Sequence, residues 1–271
     1  VLLAIDVGNT QTVVGLYELE PLDANLDRRV ADTSLIDHWR IATNVERTAD
    51  EHALVLQEFL GFHGSTWDDN DIAGICLCSS VPRVTGSLRR MSERYFGLPA
   101  VVVEPGIRTG LPIHYDNPKE VGADRIADAV AAFDLFGGPT IVVDFGTATT
   151  FEAISAKGEY LGGAIFPGID VSLDALFARA AALRRVELVE PRNVIGRSTV
   201  ESMQSGAIYG YTSLVDGMCE RIRNELEADA TVVATGGLSG LIGPLSTSIT
   251  HVEPWLTLHG LRLIFEKNQA D

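Results

Sequence analysis

One pattern occurs twice in this 271-residue chain and limits what it can fold into. The first copy is Asp6-Val7-Gly8-Asn9-Thr10, following the apolar run Leu2-Leu3-Ala4-Ile5. The second is Asp144-Phe145-Gly146-Thr147-Ala148-Thr149-Thr150, following Ile141-Val142-Val143. In each, apolar residues lead into Asp, then Gly and small polar residues, and apolar character then returns. This predicts strand, tight turn, strand, with backbone N–H groups and hydroxyls at the tip for an anion. Each copy also carries a carboxylate suited to a cation, directly or through water. An Asp that merely caps a turn gives the same local pattern; its recurrence in matching contexts favours a functional role. Two such tips facing each other across a cleft would grip a nucleoside triphosphate and its metal.

Around these hairpins strands and helices alternate, which predicts an α/β fold with helices packed on mixed sheets. In the first half, strands are expected at His38–Ala42, Ile72–Cys78 and Pro99–Val103, with helices at Asp50–Phe62 and Val84–Phe96. Residues 20–34 are polar and read as a surface loop or insertion. Asn117-Pro118-Lys119-Glu120 has an N-cap residue, Pro at the first helical position and Glu at the third, so a helix is expected from there to Gly137. In the second half, helices are expected at about Ile169–Leu183 and Thr199–Leu226, and a strand at Thr231–Ala234. Gly206 and Gly210, four apart on the longer helix, leave room for another helix. The repeat favours two domains, 1–118 and 119–271, with the boundary between about 118 and 138.

The net charge of −16 repels nucleic acid and anionic membranes, so neither is an expected partner. It also repels ATP, so an ATP site must overcome the field locally; salt screens the global term over about 8–10 Å. No apolar run approaches the roughly 20 residues of a membrane span, and Leu2–Ile5 is too short for a signal-peptide core. Cys76, Cys78 and Cys219 read as buried reduced thiols, which fits the cytoplasm.

A lysine-based phosphate loop is excluded, because none of Lys119, Lys157 and Lys267 follows Gly and precedes Ser or Thr. The hydroxyls of Thr10, Thr147 and Thr149 either bond phosphate oxygens or stabilise turns. Asp124 is a candidate general base for an alcohol substrate, with Asp128 competing from the same helix face; a solvated helix residue is the plainer reading of either. Arg125 has the planar fork to bind a carboxylate, or is a surface residue. Tyr115 either walls a pocket or sits at a core or hinge position. Thr235-Gly236-Gly237-Leu238-Ser239-Gly240, after a strand, suggests close backbone approach to an adenine or ribose. A dinucleotide loop fits poorly, since the spacing is not G-x-G-x-x-G.

Taken in order, five elements resemble the type III pantothenate kinase family over nearly the whole chain. They are the Asp6-to-Thr10 start, Gly122-Ala123-Asp124-Arg125, Asp144-Phe145-Gly146-Thr147-Ala148-Thr149, Gly162-Gly163 with Pro167-Gly168, and Thr235-Gly236-Gly237. The resemblance implies two duplicated actin-like (ribonuclease H-like) α/β domains with ATP in the cleft between them. It implies transfer of the ATP γ-phosphoryl group to the primary hydroxyl of pantothenate, the first step of coenzyme A synthesis. Asp124 becomes the expected proton acceptor, and Gly122, Ala123, Asp124 and Arg125 the substrate-binding run, with Tyr115 beside it. Asp6, Val7, Gly8, Asn9, Thr10, Gln11, Thr12 and Val13 go to ATP and Mg²⁺, with Asp6 as the magnesium carboxylate. Thr147 goes to an ATP phosphate, Asp144 to potassium or ammonium, and Gly236 with Gly237 to the nucleotide. Thr199 is expected to reach the pantothenate site across a homodimer interface.

Departures from the family pattern are modest: Gln11 where Asn, Arg or Lys is common, Arg184 where Pro is expected, and a longer polar stretch at 20–34. The alternatives are a kinase of the same fold for another small hydroxy acid, or a nucleotide-binding regulatory factor without turnover. The Asp124-Arg125 pair argues against the second.

Overall fold

The computed structural model describes residues 1–19, 34–62, 72–180 and 183–269. The polar stretch at 20–34 lies outside these residues except for Ser34, as does part of the segment before Arg184. In chain order the first elements are β1 (Leu2–Val7), β2 (Gln11–Tyr17), β3 (Leu35–Ala42), α1 (Ala49–Gly61), β4 (Gly74–Ser79), α2 (Pro82–Met91), β5 (Val101–Val102) and α3 (Ala123–Phe136). There follow β6 (Thr140–Phe145), β7 (Ala148–Ile154), β8 (Tyr160–Pro167), α4 (Ile169–Arg179), α5 (Thr199–Leu226), β9 (Thr231–Gly236), α6 (Ser239–Ile242), β10 (His251–Val252) and α7 (Leu256–Gln269).

The described strands form two five-stranded sheets of one topology, β3-β2-β1-β4-β5 and β8-β7-β6-β9-β10. In each, the central strand pairs antiparallel with the next strand through the predicted hairpin, and parallel with a strand that arrives after a helical crossover. Central strands covered on both faces read as continuous apolar runs rather than as alternation. Leu2, Leu3 and Ala4 in β1, and Ile141, Val142 and Val143 in β6, are accordingly all buried. The edge strand β3 alternates half-buried and exposed residues instead.

Two compact units result, Val1–Leu135 with Leu256–Asp271, and Phe136–Trp255. The break at 135/136 falls within the 118–138 range, and the return of residues 256–271 to the first unit adds to a simple two-way division. Nearly all of α3 belongs to the first unit, and the chain returns to that unit with α7, which packs on β1 and β4. The fit there is close: a Cβ on Gly74 would overlap the Phe265 ring. The core of the first unit joins Leu3 and Ile5 of β1 to Leu56 of α1, Leu77 of β4 and Leu88 of α2. In the second, Ile141 and Val143 of β6 meet Ile208 and Val215 of α5. Truncating any one of these buried Leu or Ile side chains to Ala would cost roughly 2–5 kcal/mol.

Helix ends follow their chemistry. At α1, Thr48 Oγ1 accepts from Glu51 N at 3.3 Å, while Glu51 Oε2 accepts from Thr48 N at 2.7 Å, a reciprocal capping box. The Asn117 cap forms as expected, but it starts a one-turn 3₁₀ helix, Pro118–Glu120. Val121 is extended there (ψ 126°), so the chain breaks before α3 begins. Similarly, α2 stops at Met91 and Ser92–Phe96 continues as a π-turn that closes on Gly97 at φ 65°. The 28-residue α5 has the expected bounds. Its buried apolar face runs through Ala207, Ile208, Tyr211, Val215 and Cys219, while Leu214, Met218, Ile222 and Leu226 pack at its margin.

Candidate active site

In the first unit the β1–β2 pairing ends at Val7 and Thr12, and Gly8–Gln11 turn between them, with Gly8 N donating to Gln11 O at 3.0 Å. The shape of the turn is fixed from outside. Thr43, just past β3, donates through Oγ1 to Gly8 O (2.7 Å) and through N to Thr10 O (3.0 Å), and its hydroxyl also meets Thr12 Oγ1 at 2.9 Å. Ser80 N donates to Val7 O at 3.0 Å. The carbonyls of the turn are therefore tied into the protein, while Asn9, Thr10 and Gln11 are exposed at the tip. Thr12 is buried, so its hydroxyl serves the turn.

Asp6 is half-buried one position before the end of β1. Parallel pairing sets it opposite Cys78, whose Sγ donates to Asp6 Oδ1 at 3.2 Å. Removal from water and the nearby charge of Asp124 push the Asp6 carboxyl up to about 7, against the pull of the thiol and of Arg40. Burial, with Asp6 and Asp124 adding to it, raises the Cys78 thiol well above its ordinary range. The thiol is therefore a neutral donor. The arrangement gathers negative charge around one end of β1, where an incoming cation would relieve it.

Asp124 sits in the first turn of α3, half-buried, with Oδ1 accepting from Arg125 N at 2.8 Å. Gly122 makes this placement possible, because a Cβ there would strike Asp124 Oδ1. The competitor Asp128 is separated from this role by burial: it is 1% exposed, and its Oδ1 accepts from Thr257 Oγ1 of α7 at 2.7 Å. Arg125 is buried too, which sets aside the surface reading. Tyr115 is exposed in the loop before the 3₁₀ turn.

The second unit repeats the geometry with different chemistry. Gly146 N donates to Ala148 O at 3.0 Å, closing the turn after Asp144, and Gly168 N donates to Thr147 O at 3.1 Å. Thr147 is exposed at the tip, whereas Thr149 is buried and its hydroxyl has no hydrogen-bond partner among the described residues. Asp144 lies in register with Thr235 across β9. The next residue, Gly236, has φ 86°, a conformation that L side chains avoid. A Cβ there would collide with Asp144 Oδ1 and the Phe145 backbone. Gly236 O accepts from Ser239 Oγ at 2.7 Å, which holds the turn, and Gly237 is exposed beside it. Thr199 is exposed at the start of α5, after the Ser198 cap.

Sequence reasoning missed Thr43, Ser80 and Thr257, and saw Cys78 only as a buried thiol. The signal for Cys78 was its strand, but pairing with Asp6 depends on a register that local pattern does not carry. Among the described residues there is no cluster of three or more His, Cys, Asp or Glu side chains able to cage a metal. No described helix is long and apolar enough to cross a membrane.

Comparison with known proteins bears on the fold and the family. Among solved structures, a Baf family protein from Campylobacter jejuni superposes with a TM-score of 0.56 at 18% identity, covering 98% of each chain. An activator of a 2-hydroxyisocaproyl-CoA dehydratase from Clostridium difficile, solved with ADPNP, gives 0.50 at 11% identity over 99% of this chain and 96% of its own. At these identities the likeness is one of fold. Relatives named type III pantothenate kinase are far nearer in sequence. That of Streptomyces griseus is 53% identical over 98% of both chains, and that of Thermobifida fusca 51% identical over 98% of this chain and 99% of its own. The family model for type III pantothenate kinase matches residues 2–221. This chain belongs to the type III pantothenate kinase family.

Proposed function

We propose that this chain phosphorylates pantothenate on its primary hydroxyl, with ATP as donor, in the first step of coenzyme A synthesis. The observation that carries the reading is full-length family membership, with a half-buried carboxylate, Asp124, close enough to Asp6 to raise its pKa. Asp124 accepts the hydroxyl proton as the oxygen attacks phosphorus. The transition state is loose, so a weak base placed correctly is enough, and it contributes roughly 10²–10⁴-fold. Arg125, with Gly122, Ala123 and Tyr115, holds the substrate and its carboxylate.

ATP is held by the turn at Gly8–Gln11, by Thr147 and by the Gly236-Gly237 backbone. A divalent ion suits the Asp6 end of this arrangement, because the Asp6 and Asp124 carboxylates lie close enough there for Asp124 to add to burial in raising the Asp6 proton affinity. Mg²⁺ generally takes one or two carboxylates and fills its shell with phosphate oxygens and water; Asp6 would hold it, directly or through water, and it would supply charge neutralisation to the phosphoryl group. Asp144 is the residue we assign to a monovalent cation, potassium or ammonium.

We further assign a homodimer in which Thr199 of one subunit reaches the pantothenate site of the other. Exposed apolar residues flank Thr199, with Ile195 at 82%, Val194 at 66% and Val200 at 49%. On α5 a Cβ at Gly206 or Gly210 would meet nothing within 4 Å. A cytoplasmic location completes the reading. The deciding experiment is turnover by purified protein with ATP, Mg²⁺, potassium and pantothenate, following the product by mass. Phosphopantothenate at tens of turnovers per site supports the assignment; ATP consumption only with another hydroxy acid, or none at all, overturns it.

A further inference from the structure

A cavity of about 670 Å³ opens in the first unit between the start of α1 and α2. Arg47, Arg83, Arg90 and Arg94 line it, with Thr48 and Ser87. Four guanidinium groups around one hollow are conspicuous in a chain of net charge −16. Three carboxylates share the lining, Glu46, Asp50 and Glu93. Two of them are engaged: Arg83 donates to both oxygens of Glu46 at 2.6 Å, and Arg94 donates to Asp50 at 2.8 Å. Glu51, next to the cavity in sequence, folds back onto Thr48 in the capping box.

Arg47 is the group this leaves over. Its Nη1 is buried and has no hydrogen-bond partner among the described residues. A buried charged donor without an acceptor is costly, and protein interiors rarely tolerate one. Behind it, His52 is buried, its Nε2 is likewise unpartnered, and burial together with the Arg47 charge holds its pKa down at about 4. The imidazole is neutral at physiological pH and adds no second charge; the nearby counter-charge is Glu51, whose carboxylate is held below its ordinary range by its bonds to Thr48 and, less, by Arg47, but which is turned onto the Thr48 cap. Arg90 donates to Ser87 at 3.2 Å, a neutral partner. The backbone N–H groups of the first turn of the 13-residue α1 add a further positive end to the same hollow.

From this juxtaposition we infer that the cavity binds a small phosphate-bearing anion, seated on Arg47 and Arg90. Planar guanidinium forks match phosphate oxygens in pairs, and the hollow has room for more than one phosphoryl group. The site is separate from the turn at Gly8–Gln11, although the segment from Thr43 to Thr48 leads from one to the other.

The test is titration calorimetry on the full chain, with Mg²⁺ and a non-hydrolysable ATP analogue saturating the nucleotide site. The probes are inorganic pyrophosphate, and glycerol 3-phosphate to distinguish an organic ester from an inorganic anion. One site per chain is expected for at least one probe, at least tenfold weaker in Arg47→Gln and in Arg90→Gln, and unchanged in Arg221→Gln on α5. Melting curves check folding; Arg90 is exposed, so its variant keeps the test open if Arg47→Gln misfolds. No heat with either probe, loss of all binding when the analogue is present, or wild-type affinity in the arginine variants would overturn the inference. Because the readout is binding without pantothenate, its failure is distinct from failure of the kinase assignment.

Discussion

The turns after Asp6 and Asp144 are built on sheets of the same topology, yet they solve different problems. At Asp6 the side chain shares its surroundings with a second carboxylate and a neutral thiol, and proton affinity rises. At Asp144 the constraint is steric: a glycine at φ 86° leaves space for the carboxylate that any side chain would take. Duplication of a fold thus preserves where a carboxylate is presented and leaves its electrostatic task free to diverge.

That contrast can be broken experimentally. The largest effect belongs to Asp124→Asn, which should lower kcat by roughly 10²–10⁴-fold while leaving the KM for ATP near its parent value; steady-state kinetics would check it. Next is Gly236→Ala. Strain at positive φ and a collision with the Phe145 backbone should cost roughly 2–4 kcal/mol, read as a fall in the denaturation midpoint. The matching change at the first turn, Gly8→Ala, meets only Gln11 O at 3.0 Å and should cost less.

A third effect is on pH dependence. The folded Asp6 pKa of about 7 lies above its ordinary 3.8, so folding favours the protonated form. The stability this contributes is full below about pH 4 and is lost as pH rises to about 7. Denaturant unfolding of the protein without nucleotide or metal should show this decline, and Asp6→Asn should flatten it. The smallest effect is Cys78→Ala, which removes one donor to Asp6. It should raise the KM for ATP roughly two- to fivefold, in keeping with about 0.5–1 kcal/mol for one hydrogen bond, with Cys219→Ala as the unaffected control.

Much of this was legible locally. The hairpins, the cap at Asn117 and the full span of α5 follow from turn residues, caps and apolar spacing, which act within a few residues of each other. Asp124 could be proposed but not separated from Asp128, because only the packing of α7 shows that Thr257 occupies the second carboxylate. The return of the chain to the first unit with α7 was not legible, for the same reason. A cap at Asn117 announces a helix, but not that the helix ends after one turn, nor that a helix more than a hundred residues later covers the first sheet. Cys78 and Thr43 act through strand register, which is a property of two segments together.

The path of the chain also dictates an order of assembly. The second unit is contiguous, so everything it needs has left the ribosome by Trp255. The first unit begins earlier but must wait for residues 256–269 to cover β1 and β4. The half of the molecule that begins first is therefore completed after the other, and the face of Gly74 that meets Phe265 stays uncovered until that residue has been made.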